Sequence, residues 1–415
     1  MGIGVDSNAT TVTRCSLRAE GLSGRRLRPN SIAVVHDYLN QCGGAERVAL
    51  ELARMWPGTS IYTSLYRPES TFPAFRDLDV RHSWVQKLPV DSRFRALVPL
   101  YPLAFRSFGT LHEQVVISSS SGWAHGIATA PESLHVVYCH TPARWLYRTD
   151  EYLGSAIFPK LTAPLLRLLR RWDLKAARRA DLYVVNSEHV RKRVRVEYGR
   201  DAHVIHPPVD VSRFEPTPRG ERLLVVSRLL PYKRVDLVVR AATRAGIGLD
   251  VVGVGPQFDR LRSIAGSTVK FYGRVEDSVL KEMLENCRAL CVAATEDFGM
   301  APVEAGAAGK PVIAHAAGGA LETLEDGVNG ALFQELTEDA LIDAVRRADA
   351  LAADPTELAT LARRFSPDTF RVQFEALIEE ALAQRADGAS GKVPVAARPF
   401  LKSRARALPS SRPVQ

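Results

Sequence analysis

Short apolar runs separated by helical stretches, repeated along nearly the whole sequence, restrict this chain more than any other feature. Strands are expected at Ile32–His36, Ser60–Thr63, Val115–Ser118, His135–Cys139, Leu182–Asn186 and His203–Ile205. They recur at Leu223–Ser227, Leu249–Val252, Val269–Tyr272, Leu290–Ala293, Pro311–His315 and Gly330–Phe333. Such βα alternation forms parallel sheets covered by helices. Because the pattern runs twice, the chain is expected to be α/β, with two doubly wound, Rossmann-like domains that face one another. Their seam lies in the proline-rich stretch from His206-Pro-Pro-Val-Asp to Glu215-Pro-Thr-Pro-Arg-Gly220. The expected division is an extension at 1–28, a first domain at 29–208, a second at 209–386 and a tail at 387–415. The last helix of the second domain is expected to pack back on the first. A cleft lined by the carboxyl ends of the strands is the usual ligand site of such sheets.

The 415 residues suit two domains, and 46% hydrophobic residues suffice for two cores. Five cysteines, Cys15, Cys42, Cys139, Cys287 and Cys291, are odd in number and scattered. A disulfide framework is therefore not expected, and a reducing, cytoplasmic compartment fits. Cys287 and Cys291 lack neighbouring ligands for a metal and are expected in the core. The net charge of +9 is unevenly distributed: residues 1–30 carry +3, 31–210 carry +6, 211–387 carry −6 and 388–415 carry +6. No aromatic-interleaved basic motif points to nucleic acid, so an anionic membrane surface is the better partner for the basic face. No signal peptide is expected at the start, since residues 1–28 lack an apolar core. No run of about 18 apolar residues is present to span a bilayer. Two segments could lie on one. Ala96–Phe105 is apolar and flanked by Arg93, Arg95 and Arg106, while residues 160–180 set seven Lys/Arg against Asp173 with leucines interleaved. The alternative is that their apolar positions pack inside and the arginines form a solvated face.

The stretch Glu296-Asp-Phe-Gly-Met-Ala-Pro-Val-Glu304 places two carboxylates across a strand end, a Gly turn and a helix expected to begin near Pro302. Free N–H groups in a first helical turn favour negative charge, so this is a seat for a phosphate-bearing ligand. Glu296 would face the crevice from the strand tip. Glu304, expected in the first turn, could reach a sugar or ribose hydroxyl. Equally, Glu304 could complement the helix dipole and Glu296 could be a solvated loop charge.

Asp37 through Val48 reads as strand, Gly43-Gly44, then helix, which lets a phosphate approach the backbone or simply makes a tight turn. Gly-x-Gly-x-x-Gly is absent, which disfavours a nicotinamide dehydrogenase. Gly306-Ala-Ala-Gly309-Lys310-Pro311 has the wrong spacing for a P-loop. Arg228 and Lys233 flank a strand-to-helix turn in the otherwise acidic half, so both cations can converge on one anion, a diphosphate above all. His140, directly after a strand, can hydrogen-bond a substrate hydroxyl near neutral pH, although a lone His is more often structural.

Taken in order, Gly43-Gly44-Ala-Glu-Arg, Tyr138-Cys-His140-Thr-Pro, Ser227-Arg228 through Lys233-Arg-Val-Asp236, Val254-Gly255-Pro256 and Glu296 through Glu304 resemble family 4 retaining glycosyltransferases of the GT-B fold. The likeness covers about 31–385 and is similar to the bacterial mannosyltransferase branch that builds polysaccharides and glycolipids. It implies a sugar nucleotide, GDP-mannose first and a UDP-sugar as alternative, bound to the second domain. It further implies a lipid-linked or glycan acceptor on the first domain, no cofactor and no metal. Arg228 and Lys233 would hold the diphosphate, Glu304 the ribose, and Glu296 with the Phe298-Gly299-Met300 backbone the transferred sugar. Val275 and Val303 would line the donor site, Gly43 and Gly44 approach the phosphate from the first domain, and His140 meet the sugar or acceptor. Asp297 departs from the commoner Gly-Phe-Gly pattern, which alters sugar contacts without abolishing the site. A sugar-nucleotide-binding protein without turnover has the same motifs. A GT-B phosphorylase would need a pyridoxal phosphate lysine and a longer chain.

Overall fold

The computed structural model describes residues 31–88, 97, 99–148 and 159–387, with side chains of the 159–179 helix from residue 163 onward. The terminal stretches, and residues 96 and 98 of the apolar segment, lie outside the described residues. The first sheet contains β1 (Ile32–His36), β2 (Ser60–Thr63), β3 (Asp79–His82), β4 (Val115–Ser120), β5 (Leu134–Cys139), β6 (Leu182–Val185) and β7 (His203–Val204), in the order β3-β2-β1-β4-β5-β6-β7. The second contains β8 (Leu223–Val226), β9 (Leu249–Val252), β10 (Val269–Gly273), β11 (Ala289–Val292), β12 (Val312–His315) and β13 (Gly330–Phe333), in the order β10-β9-β8-β11-β12-β13. Every pairing in both sheets is parallel. The strand order therefore reverses between β1 and β4 and again between β8 and β11, the two places where a crevice opens at the carboxyl ends.

The relevant helices are α1 (Gly44–Met55), α2 (Pro159–Arg179), α3 (Glu188–Tyr198), α4 (Val235–Ala245), α5 (Met300–Ala307) and α6 (Pro367–Ala386). Strands such as Ile-Ala-Val-Val-His and Leu-His-Val-Val-Tyr-Cys are buried along their whole length, as strands covered on both faces must be. The sequence reading missed β3. Its Asp-Val-Arg-His run is largely exposed at the sheet edge, so no apolar signal marks it, and it exists because β2 offers an unpaired edge.

Helix α6 begins with Ser366 accepting from the Thr369 N–H and Pro367 in the first turn. Phe370, Phe374, Leu377, Ile378 and Ala381 recur at helical spacing, and all lie in the core of the first half together with Val34, Ile117 and Tyr138. Phe370 and Phe374 stack at 5.5 Å, and Arg371 Nε donates to Glu51 at 2.5 Å. The chain thus returns from the second sheet to be buried against the first.

On α2, Leu166, Leu169 and Trp172 turn inward with Tyr101 and Phe105, whereas Leu165 (44% exposed) and Leu168 (62%) face outward. Asp173, the one acid in this basic helix, is fully buried, with Oδ1 at 2.8 Å from His125 Nε2 and Oδ2 accepting from the Tyr147 hydroxyl. Leu100 and Leu103 are also exposed, while Tyr101, Ala104 and Phe105 are core. Each of the two segments considered for a membrane surface is therefore divided between core and surface. Cys139, Cys287 and Cys291 are buried free thiols, and Cys42 is exposed.

Candidate active site

Ser227 and Arg228 follow β8, and Glu296 follows β11, so they stand on either side of the second reversal of strand order. Arg228, Lys233, Glu296, Gly299 and Met300 line one cavity of about 220 Å³. Lys233 Nζ donates to both Glu296 oxygens at 2.6 Å, with the two side chains 12% and 23% exposed. Arg228 Nη2 donates to the Tyr232 hydroxyl at 3.3 Å. The two cations do share a cavity, but Lys233 is also the counter-ion of Glu296, a pairing that sequence separation of 63 residues hides.

Gly299 has φ +86°, a left-handed conformation that side chains disfavour, and it lets the helix start immediately behind it. Helix α5 therefore begins at Met300, ahead of the expected start near Pro302. Pro302 then falls in the first turn, where its missing N–H needs no partner. As a consequence Glu304 lies in the second turn, which corrects its expected place in the first. It is 8% exposed, with Oε1 at 3.4 Å from Arg47 Nη1 and 3.6 Å from Arg213 Nη2. Phe298 and Val303 are each 3% exposed in the hydrophobic core, Phe298 packing 5.4 Å from the rings of His206 and Phe365. Only backbone at 298 and 303 can face a ligand, because the side chains anchor α5. Val275, just beyond β10, is half-buried against the same core.

From the first half, Gly43 caps α1 and Gly44 starts it. A Cβ on Gly44 would lie 2.8 Å from Met300 Sδ, so this glycine allows α1 to approach α5 of the other half. Arg47, one turn further along α1, reaches Glu304. His140 follows β5; its Nε2 lies 2.8 Å from Ser119 Oγ, and its carbonyl accepts from Asn186 Nδ2. Burial, reinforced by the neighbouring His36, lowers its pKa to about 3. His140 is thus a neutral imidazole at neutral pH, and a hydrogen-bonding role is the one its state allows.

Several residues at the cleft were missed by the sequence reading. Asp37, at the end of β1, accepts from the N–H groups of Ser121 (2.6 Å), Trp123 (2.9 Å) and Ala124 (2.7 Å) and holds the loop after β4. Gly319 N–H donates to the Glu296 carbonyl at 2.9 Å, and a Cβ on Gly318 would lie 2.2 Å from that oxygen. The Gly318-Gly319 pair was visible in the sequence as a close-approach signal. Arg144 Nη2 donates to Asp297 Oδ2 at 2.5 Å and Arg193 Nη1 to Oδ1 at 3.2 Å, both across the two halves. Asp297 therefore turns toward the first half.

Comparison with known proteins adds to this geometry. Residues 42–213 match Glycosyltransferase Family 4, and residues 212–363 match Glycosyl transferases group 1. The D-inositol 3-phosphate glycosyltransferase of Mycolicibacterium gilvum is 27% identical over 276 residues, covering 60% of this chain and 60% of that protein. The protein of the same name from Mycobacterium tuberculosis is 30% identical over 204 residues, 42% of each. The chain thus spans 60% or less of the length of these curated relatives. Among solved structures, Anabaena HepE in complex with UDP and glucose superposes with a TM-score of 0.62 at 20% identity, over 83% of this chain and 98% of that one. Sucrose-phosphate synthase from Thermosynechococcus elongatus gives 0.64 at 17%, over 85% and 99%. The two matched families meet at the seam between the sheets and together run from 42 to 363, so each half carries the domain of one of them, on the GT-B fold.

Proposed function

We propose that the chain is a retaining glycosyltransferase that moves a hexose from a nucleoside diphosphate sugar to a lipid-linked or glycan acceptor. The single observation that carries this is the cavity that brings Arg228, Lys233 and Glu296 together with the start of α5 at a strand-order reversal. Two cations and a helix N-terminus stabilise the negative charge that grows on a diphosphate as the anomeric C–O bond breaks. The acceptor oxygen forms the new bond to the anomeric carbon, and its proton passes to the departing phosphate oxygen. Glu296, held by Lys233, orients the sugar; Glu304, between Arg47 and Arg213, meets the ribose; neutral His140 contacts the sugar or acceptor. Mannose from GDP-mannose is the donor proposed first, on the motif likeness. A UDP-sugar is the second reading, favoured by the UDP and glucose of the HepE complex.

Because protein cations serve the diphosphate in this reading, no metal is required. Titration with GDP, UDP, GDP-mannose and UDP-glucose is expected to show one nucleotide pair binding well ahead of the other. Donor hydrolysis should survive EDTA. Absence of binding by all four would refute the donor site, and strict dependence on Mg²⁺ or Mn²⁺ would refute the metal-free chemistry.

The proposed setting is the cytoplasmic face of a membrane, contacted peripherally. Outward-facing Leu165 and Leu168 among exposed Arg167, Arg170, Arg171, Lys175 and Arg178, with Leu100 and Leu103, supply apolar and cationic groups together. No described helix is long and apolar enough to cross a bilayer. Each cation near an anionic leaflet contributes about 1 kcal/mol, and the attraction fades as the Debye length shrinks to about 3 Å at 1 M salt. A version trimmed to residues 29–387 should sediment with anionic vesicles at low salt and be released at high salt. Indifference of the trimmed protein to those vesicles at low salt would make α2 a solvated face.

A further inference from the structure

Three neighbouring strands of the first sheet end in a row of buried polar groups. His36 closes β1 and is the register partner of Ser119 on β4; Ser119 in turn pairs with Tyr138 on β5, two residues before His140. Residues in register, and those two apart on one strand, share a face of the sheet. The His140 N–H donates to the Ser120 carbonyl at 2.9 Å, its own carbonyl accepts from Asn186, and the Tyr138 ring packs 5.2 Å from the imidazole. His140 is therefore held at both ends.

One carbonyl fixes the direction of the hydrogen bonds along this row. His36 Nδ1 lies 3.1 Å from both the carbonyl oxygen and the hydroxyl of Ser119. A carbonyl can only accept, so Nδ1 carries a hydrogen. The Ser119 hydroxyl is also 2.8 Å from His140 Nε2, and the two imidazoles are its partners among the described residues. Facing a donor on the His36 side, it gives its own hydrogen to His140; the reverse would leave a buried O–H without an acceptor. Nε2 of His140 thus accepts, and in a neutral imidazole the hydrogen is then on Nδ1.

Glu46 stands at the far end of the row. Buried on α1, it accepts from Gln41 Nε2 at 2.8 Å and lies 3.9 Å from His36 Nε2. A carboxylate there favours protons on His36, so Nδ1 keeps its hydrogen whether or not Nε2 gains one. A Cβ on Gly43 would lie 2.5 Å from Glu46 Oε2, so the glycine turn is what admits this carboxylate.

We propose that Ser119 and His36 are positioning residues that hold His140 as its Nδ1–H tautomer, making His140 a hydrogen-bond donor to an oxygen of the bound substrate and not a base. The role of His140 rests on the glycosyl-transfer reading above; the row itself stands on its own distances. A nitrogen that already carries a hydrogen cannot take the proton that the acceptor gives up, which leaves that proton to the phosphate oxygen.

The test is the nitrogen NMR spectrum of the full chain, labelled at histidine, at neutral pH and without ligand, with His140→Gln to assign the resonances. His140 should show a protonated Nδ1 and an unprotonated Nε2. Ser119→Ala should shift it toward the Nε2–H form, His36→Leu should give a mixture, and Ser119→Thr, which keeps the hydroxyl, should retain the original tautomer. In hydrolysis of GDP-mannose or UDP-glucose, Ser119→Ala should lower kcat/KM about 2- to 12-fold, the loss of one neutral hydrogen bond, and Ser119→Thr should recover most of it. A hydrogen on Nε2 in the unaltered chain, a tautomer unmoved by Ser119→Ala, or unchanged kcat/KM despite a shifted tautomer would each overturn the proposal. The spectra need no sugar nucleotide, so they decide the row even if neither donor binds, the outcome that refutes the donor site.

Discussion

Lys233→Ala is expected to lower kcat/KM for donor hydrolysis roughly 10- to 150-fold, the loss of a charge-assisted contact of about 1.5 to 3 kcal/mol from the transition state. Arg228→Ala should fall in the same range, because both side chains line the cavity with Glu296. Lys233 has a second way to act, through the two 2.6 Å contacts that orient Glu296. A double-mutant cycle with Glu296→Gln separates the two routes. If Lys233 serves the diphosphate alone, the losses add; if it works through Glu296, the double substitution costs less than their sum by at least about 0.5 kcal/mol. Steady-state hydrolysis of GDP-mannose and UDP-glucose supplies the readout. Unchanged kcat/KM in both single variants would remove these residues from the donor site.

Phe374→Ala is expected to destabilise the chain by about 3 to 5 kcal/mol, read from the urea unfolding midpoint. The side chain has no exposed surface, lies 6.2 Å from Tyr138 ring to ring and stacks on Phe370, so its removal leaves a cavity that fixed strands cannot collapse. Val372, two residues away on the same helix and 68% exposed, is the control, and its replacement by Ala should change stability by less than about 0.5 kcal/mol. A loss below about 1 kcal/mol for Phe374→Ala would show that α6 is not integral to the core of the first half. Stability of the first sheet would then not depend on chain that follows the second, contrary to the packing.

Much of the fold was legible because parallel strands buried on both faces have to be apolar throughout. Eleven of the twelve expected runs match strands of the sheets to within one residue at either end, and Val115–Ser118 extends two residues further, to Ser120. The strand with no apolar requirement, β3 at an exposed edge, carried no such mark. At the candidate site, Arg228, Lys233, Glu296 and Gly299 could be singled out because strand ends and turns announce themselves locally, and the fold brings them to one cavity. The start of α5 was misplaced by two residues, since Pro302 reads as a first helical position while the left-handed Gly299 had already opened the helix.

What the sequence by itself determined is the set of elements and the end of each strand at which chemistry could sit, because hydrophobic period and turn chemistry act between near neighbours. Which charges meet was decided only by the tertiary structure. Lys233 with Glu296, Arg47 with Glu304, and Arg144 and Arg193 with Asp297 are separated by 63, 257, 153 and 104 residues. Coulomb attraction between side chains depends on distance in space and on the water excluded around them, and folding two sheets against one another sets both quantities. Asp297, which in the sequence was a departure in a sugar-contacting loop, became in the folded chain the counter-ion of two arginines from the other half.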